Sequence, residues 1–272
     1  MKTRNGYVSN SSSSSFILAK DPAFDGITRD DLFEAIKSVY PSYDERVESS
    51  RKMCEEYDFE YTEETLPPFA VYDVSDKAGH DKAVETWGEL LDDWVSDLCI
   101  RSKDGTCVMN EDKAFKAMDK WDDFTERLKD KKDPDGWRLS ISGYDTLGSV
   151  MSESFKNEGM YRYTPDGKCE FAPIPEKTLK SIERKWKSLG LLSNRELLDM
   201  PEARFLVHFG ENDIHGTAGM NEDDRKYGTE TYTYERLVEI LVEALKKAGK
   251  LPSEYDYKDM LKRTMTVCMH EG

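Results

Sequence analysis

The stretch from residue 80 to residue 100 carries the strongest helical pattern of the chain. Its large apolar side chains recur at steps of three and four residues, as Trp87, Leu90, Leu91, Trp94, Val95, Leu98 and Cys99. That spacing predicts a helix from about His80 to Ile100 with one wide apolar face. Such a face has to be covered, because large exposed apolar patches are rare on soluble proteins. We therefore expect burial of Trp87, Leu91, Trp94, Val95 and Leu98.

Segments on both sides of this helix predict strands as well as helices. Short apolar or alternating runs predict strands at residues 16–19, 69–74, 137–142, 169–174 and 204–209. Capping residues and apolar stripes predict further helices that begin near residues 28, 42, 110, 175, 193, 234 and 253. Helices outnumber strands, and the two do not alternate regularly. We therefore predict an α+β fold that is helix-rich with a small mixed or antiparallel sheet.

The segment 130–136, D-K-K-D-P-D-G, is typical of a turn or linker. The charge balance changes there, since residues 1–136 hold 19 basic and 32 acidic residues, whereas residues 137–272 hold 20 and 23. These observations predict an acidic, mostly helical part over residues 1–132 and an α+β part over residues 137–272. A single compact domain is the alternative for a chain of 272 residues.

The net charge of −16 restricts the partners of the chain. A surface this acidic repels nucleic-acid phosphates and anionic lipid, so we expect neither generic nucleic-acid binding nor membrane binding. It suits a protein partner with a basic surface. The acidity is densest around Tyr57, Phe59 and Tyr61, in a candidate interaction surface formed by Glu55, Glu56, Asp58, Glu60, Glu63 and Glu64.

Hydropathy and cysteine spacing bear on the compartment. No apolar run approaches the roughly 18 residues that span a bilayer, and residues 1–15 lack the apolar centre of a signal peptide. No two of the five cysteines have the C-x-x-C spacing of a metal or redox site. Reduced thiols are typical of the cytosol. We expect a cytoplasmic protein, which means the host cytoplasm if the chain is phage-encoded.

A run of small polar residues near the start is one candidate site. Its candidate phosphate-binding residues are Asn10, Ser11, Ser12, Ser13, Ser14 and Ser15. A solvated tail is one interpretation. The apolar residues at 7–8 and 16–18 favour another, an ordered loop whose N–H groups and hydroxyls bind an anion. A nucleophilic serine would additionally need a base, for which His208 and His215 are the candidates.

The same region carries a family resemblance. Residues 4–16, R-N-G-Y-V-S-N-S-S-S-S-S-F, resemble an N-terminal signature, R-N-G-[FY]-V-S-N-S-S-S-S-S-F, found in uncharacterised bacteriophage and bacterial proteins. The match is confined to Arg4–Phe16 and implies a phage or mobile-element origin. The group has no established shared activity, so the resemblance assigns no catalytic residue.

A second candidate site follows the strand predicted at residues 204–209. Its candidate metal ligands are His208, Glu211, Asp213 and His215, which are residue types that bind Zn²⁺, Mn²⁺ or Fe²⁺. Residues 213–216, D-I-H-G, resemble the start of the metallophosphoesterase motif, but no G-N-H-[DE] follows. The alternative is a connection rich in turn formers, with His208 a partly buried strand residue. Apart from this divalent metal we expect no cofactor.

Two functions remain open from the sequence. The first is a non-enzymatic accessory protein of phage type that binds a host or viral protein through its acidic surface. The second is an enzyme or a nucleotide- or phosphate-binding protein that uses residues 11–15 together with residues 208–215, with or without a metal. A direct contact between these two segments would favour the second function.

Overall fold

The computed structural model describes residues 14–39, 47–48, 51–52, 55, 69–93, 95–96, 98–131, 133–141, 145–209 and 234–265. The strands are β1 Ser14–Ala19, β2 Phe69–Asp73, β3 Cys99–Arg101, β4 Cys107–Met109, β5 Arg138–Leu139, β6 Met160–Tyr163, β7 Cys169–Ala172 and β8 Ala203–Phe209. The α-helices are α1 Arg29–Val39, α2 Lys77–Asp93, α3 Glu111–Lys129, α4 Leu147–Met151, α5 Glu153–Glu158, α6 Glu176–Leu189, α7 Asn194–Leu198, α8 Tyr234–Lys247 and α9 Tyr257–Leu261.

The fold class predicted from the sequence is confirmed, because helices are combined with small antiparallel sheets. Several helices begin where their capping residues predict. At α3 the Asn110 side chain accepts a hydrogen bond from the Lys113 N–H. At α7 the Glu196 N–H donates to Ser193 Oγ, and the Ser193 N–H donates to Glu196 Oε2. These reciprocal bonds satisfy N–H groups that a helix start leaves without an internal partner. Residues 42–46, at the predicted second helix start, lie outside the described residues.

The helix predicted over residues 80–100 is too long at its C-terminal end. Helix α2 ends at Asp93, and residues 99–101 form strand β3. Between them the Ser96 N–H donates to the Leu192 carbonyl, and Val95 bridges Ser193. These long-range backbone bonds replace the helical ones, although the apolar spacing continues through the break. Leu91 is buried as expected, whereas Trp87, Val95 and Leu98 are only half-buried, and Trp94 lies outside the described residues.

The last predicted helix is also shorter than its pattern. Helix α9 covers Tyr257–Leu261, and its N-cap is Asp256, not Ser253. The chain then becomes extended, where Thr264 bridges Leu18 and the Met265 N–H donates to the Ile17 carbonyl. Pairing with β1 therefore ends the helical pattern.

The chain divides into two compact units, residues 1–88 together with 198–272, and residues 89–197. The turn pattern at residues 130–136 falls within the second unit. In the first unit β8 lies between β1 and β2 and is antiparallel to both. One face of this sheet packs on α1 and α8, in a core that includes Phe16, Phe69, Phe205, Val207, Leu32 and Leu241.

The second unit contains two small sheets, β3–β4 and β5–β6–β7. Its core is centred on Trp121 of α3 and Trp186 of α6, whose rings meet edge to face with their centroids 5.0 Å apart. Buried aliphatic side chains surround the pair, among them Leu139, Ile141, Val150, Ile174 and Ile182. The inner face of the β5–β6–β7 sheet packs on this core through Leu139 and Met160.

None of the helices in the described part of the chain has the length and apolar character needed to cross a membrane.

Candidate functional site

The starts of β1 and β2 and the end of β8 lie together at one end of the central sheet. Ser14, the first residue of β1, and Phe69, the first residue of β2, are both register partners of Phe209, the last residue of β8. Ser14 and Ser15, the described residues of the serine run, therefore lie beside the last residues of β8. This arrangement follows from β1 and β2 being antiparallel to β8, which places their starts beside its end.

Ser15 and His208 are in direct contact at this end of the sheet. They are register partners in β1 and β8, and the Ser15 hydroxyl shares a hydrogen bond of 2.6 Å with His208 Nδ1. Both side chains lie on the sheet face opposite Phe16 and Val207, because successive strand residues alternate between faces. Both are almost fully buried, with exposed fractions of 0% for Ser15 and 1% for His208.

Helix α2 packs an aromatic ring against this pair. The Trp87 ring lies against the His208 ring, with 3.6 Å between centroids and an angle of 32° between planes. The Trp87 indole N–H donates a hydrogen bond of 3.1 Å to the Tyr72 hydroxyl of β2. Trp87, which the sequence assigns to an apolar stripe, thus packs against the polar residue His208.

Burial determines the charge state of His208. Removal from water disfavours the imidazolium, which lowers the pKa of His208 to about 3. The ring is therefore neutral at physiological pH, and one of its nitrogens carries a proton. An imidazole with such a low pKa is a poor general base, so it does little to deprotonate a serine hydroxyl near neutral pH.

A serine beside an imidazole is the start of a nucleophilic triad, but the environment of this pair suits a structural role better. A nucleophile has to reach its substrate and needs a base that a third group orients. The Ser15 hydroxyl is buried, and within the described ranges His208 contacts no carboxylate. What the geometry provides is a satisfied buried hydrogen bond that fixes β1 against β8.

The other predicted site residues divide between described and undescribed segments. Ser14 begins β1, whereas Asn10, Ser11, Ser12 and Ser13 lie outside the described residues, as do Glu211, Asp213 and His215. No group of three metal-ligating side chains occurs among the residues that the structure describes. Of the predicted acidic surface, Glu55 is described and exposed, and Glu56, Asp58, Glu60, Glu63 and Glu64 lie outside the described residues.

The first unit contains an acid-lined cavity that no sequence pattern predicts. It has a volume of about 280 Å³ and lies between α8 and the start of α9. Four carboxylates line it, together with one lysine, two tyrosines and a valine: Glu239, Glu243, Glu254, Asp256, Lys246, Tyr255, Tyr257 and Val242. The sequence shows only that Glu239 and Glu243 are one helical turn apart, and nothing in it brings residues 254–257 to them.

Two of the lining side chains have defined electrostatic roles. The Tyr255 hydroxyl donates to Asp21 Oδ2 at 3.1 Å, and burial together with the charge of Asp21 raises the pKa of Tyr255. Tyr255 is therefore a fixed, neutral wall of the cavity. Glu243 is exposed and has no hydrogen-bond or ion-pair partner among the described residues. Its carboxylate is available to a cation from outside.

A surface histidine forms another pair that the sequence did not reveal. His80 Nε2 lies 2.8 Å from Asp199 Oδ1, and His80 Nδ1 lies 3.9 Å from Asp81. The two residues are 119 positions apart, so no local motif marks them. The pair joins the start of α2 to the segment that leads into β8.

Comparison with known proteins adds no family, since no family model, no curated protein and no solved structure matches the chain.

Proposed function

We propose that this chain is a non-enzymatic accessory protein of phage type that binds a protein partner with a basic surface. The net charge of −16 and the phage-like signature at Arg4–Phe16 support this function. A long-range negative field accelerates encounter with a basic partner and discriminates against acidic ones.

The acid-lined cavity is the observation that carries the proposal. Its four carboxylates outnumber the single Lys246, so the cavity attracts a cationic side chain. The rings of Tyr255 and Tyr257 add surfaces that suit a lysine or arginine, through cation–π attraction and contact with the aliphatic stem. Carboxylates bind arginine with charge-assisted hydrogen bonds, which are stronger than neutral ones.

The experiment begins with the tagged full chain, isolated from the cell in which it naturally occurs, and with identification of the protein that co-purifies. Binding of the purified partner is then measured as a function of salt. We expect affinity to fall steeply between 0.05 and 0.5 M salt, because exposed charges are screened over about 10 Å at 0.1 M.

Two charge-reversed variants localise the interaction. The first carries Glu239→Lys, Glu243→Lys and Glu254→Lys in the cavity. The second carries Asp119→Lys, Asp123→Lys and Glu158→Lys, exposed acids of the second unit, and has the same net charge. We expect the first variant to bind at least tenfold more weakly than the second. Equal affinity of both variants, or binding that salt does not change, would contradict the proposal.

The alternative function, binding of a phosphate or nucleotide with or without metal-dependent catalysis, is favoured by one observation. The Ser15–His208 hydrogen bond joins the end of the serine run to the start of residues 208–215. Titration with inorganic phosphate, ATP and Mn²⁺, followed by calorimetry, tests this alternative. Saturable binding that Ser11→Ala with Ser12→Ala and Ser13→Ala abolishes would support it. The absence of binding at millimolar ligand would exclude it.

A further inference from the structure

The outer face of the β5–β6–β7 sheet exposes aromatic rings. Tyr161 and Phe171 are register partners in β6 and β7, and Tyr163 follows Tyr161 on the same face. Tyr163 is 72% exposed and Phe171 is 58% exposed, the two highest values among the large apolar side chains that the structure describes. The Tyr161 and Tyr163 rings meet edge to face, with 6.1 Å between their centroids. Neighbouring exposed rings of this kind are typical of a surface that another molecule covers.

Strand β7 is at the edge of this sheet, because the strand order is β5–β6–β7. The Thr164 N–H donates to the Lys168 carbonyl at 2.9 Å, which closes the β6–β7 hairpin. Hydrogen-bonded and non-hydrogen-bonded pairs alternate along an antiparallel ladder. Counting from this bond, Glu170 bonds to β6, whereas the N–H and C=O groups of Cys169 and Phe171 point away from it.

These outward groups have no hydrogen-bond partner among the described residues. The free edge therefore presents two donors and two acceptors beside the exposed rings. Residues 169–171 are all exposed, so neither the backbone nor the rings are covered there. Free N–H and C=O groups at a sheet edge form main-chain hydrogen bonds with an extended peptide. They therefore point to an extended peptide as the occupant, whereas the exposed rings alone do not.

The residues next to β7 limit how long such a peptide strand can be. Gly167 has φ +82° in the hairpin turn, and Pro173 follows β7 immediately. A charged residue and a proline at the ends of an edge strand are common protection against uncontrolled pairing, and Lys168 and Pro173 fit that description. They leave a free edge of about three residues, enough for a short strand of another protein but not for a growing sheet.

We propose that the edge of β7 is a docking site for an extended segment of a partner protein. The segment adds as a fourth strand beside β7, bonds to the main chain of Cys169 and Phe171, and places an apolar side chain against Phe171 and Tyr163. This site shares no residue with the acidic cavity and does not depend on the function proposed above. Nucleic acid also stacks on sheet aromatics, but the net charge of −16 opposes it.

The test uses a displayed library of random 12-residue peptides, selected on the full chain. The best binder is then synthesised, and its Kd is measured by fluorescence polarisation. We expect its sequence to alternate apolar and polar residues, as a strand with one covered face does. In the complex, amide exchange of Cys169 and Phe171 slows at least tenfold. A library without binders, or a binder that leaves these amides unchanged, overturns the proposal.

Two matched pairs of variants separate the backbone from the rings. Cys169→Pro removes an outward N–H and leaves the ladder to β6 intact, and Cys169→Ala is its control. Tyr163→Ser with Phe171→Ser removes the rings, and Met109→Ser, at an exposed apolar residue of the other small sheet, is the control. We expect Cys169→Pro and the ring variant each to weaken binding at least tenfold. Melting curves that match those of the controls establish that the variants are folded.

Three results would assign the surface to another occupant and overturn the proposal. Peptide binding that survives Cys169→Pro means that the peptide does not add as a strand. A dimer of the chain alone, seen by sedimentation and lost in Cys169→Pro, means that a second copy covers the edge. Binding of oligo-dT or oligo-rU that the ring variant abolishes and Cys169→Pro does not means that the rings stack on bases.

Discussion

The imidazole of His208 packs against the indole of Trp87, with 3.6 Å between their centroids. Trp87 belongs to the apolar stripe that most strongly marks a helix in the sequence, yet its ring covers a polar residue of the central strand. The same indole donates its N–H to Tyr72. An aromatic ring with one polar atom suits this place, since it shields the imidazole and still satisfies its own donor.

The buried imidazole makes stability depend on pH. The pKa of His208 in the folded protein is about 3, below the ordinary value of 6.5. Between these values the unfolded chain binds the proton and the folded chain does not, so stability rises with pH. The contribution is complete above pH 6.5 and is lost as pH falls towards 3.

We therefore expect the free energy of unfolding to fall by about 2 kcal/mol between pH 7 and pH 5 because of His208. Urea titrations at several pH values measure this change. In His208→Gln that part of the pH dependence should disappear. An equally steep dependence in the variant would show that His208 is not the residue responsible.

Loss of the Ser15 hydroxyl should destabilise the sheet. Ser15→Ala leaves His208 Nδ1 buried without its partner, which costs about 1–3 kcal/mol. The variant Ser149→Ala, at a half-buried serine of α4, controls for loss of a hydroxyl elsewhere. Denaturant unfolding compares the two. A Ser15→Ala protein as stable as the wild type would indicate that the imidazole has another hydrogen-bond partner.

Two left-handed glycines provide a matched test of packing. Gly190 has φ +73° and Gly249 has φ +69°, so alanine is strained at either position. A Cβ on Gly190 would lie 2.7 Å from the Arg101 carbonyl oxygen, whereas one on Gly249 meets nothing within 4 Å. We expect Gly249→Ala to cost about 1–2 kcal/mol for the backbone alone, and Gly190→Ala to cost clearly more. Equal losses of stability in thermal unfolding would mean that the end of β3 at Arg101 moves aside at little cost.

The cap of α7 should contribute measurably to the second unit. Ser193→Ala removes the acceptor of the Glu196 N–H, and we expect a loss of about 1 kcal/mol. Glu196→Ala should cost more, because its carboxylate also accepts from Arg101 at 3.1 Å. Calorimetry of both variants checks the order, and the reverse order would contradict this account of the cap.

Local chemistry in the sequence predicted local structure well. The caps at Asn110 and Ser193 follow from side-chain hydrogen bonds over three residues, and the strand at residues 204–209 follows from its apolar run. Long-range pairing was not predictable. The apolar spacing continues past Asp93, and only the partners of Val95 and Ser96, about a hundred residues away, show why the helix ends there.

The candidate sites also depend on long-range contacts that the sequence does not predict. His208 was recognised as a candidate partner of the serine run, but its contact with Ser15 depends on the antiparallel register of β1 and β8. The cavity around Glu243 was missed because its walls come from α8 and from residues 254–257, and no pattern in either segment points to the other. The serine and histidine residue types suggested a nucleophile and its base, whereas the burial of Ser15 and His208 suits a structural hydrogen bond better.

The position of β8 in the chain has a consequence for synthesis. Ser15 and His208 are 193 residues apart, so β1 and β2 leave the ribosome long before the strand that joins them. The second unit, in contrast, is continuous over residues 89–197 and can bury its core while the first is still without its central strand. During that interval the apolar residues of β1 and β2 are available to chaperones, to proteases and to neighbouring chains. The interval ends only after α8 has also been synthesised, because Val238, Leu241 and Leu245 of that helix belong to the core that covers this sheet.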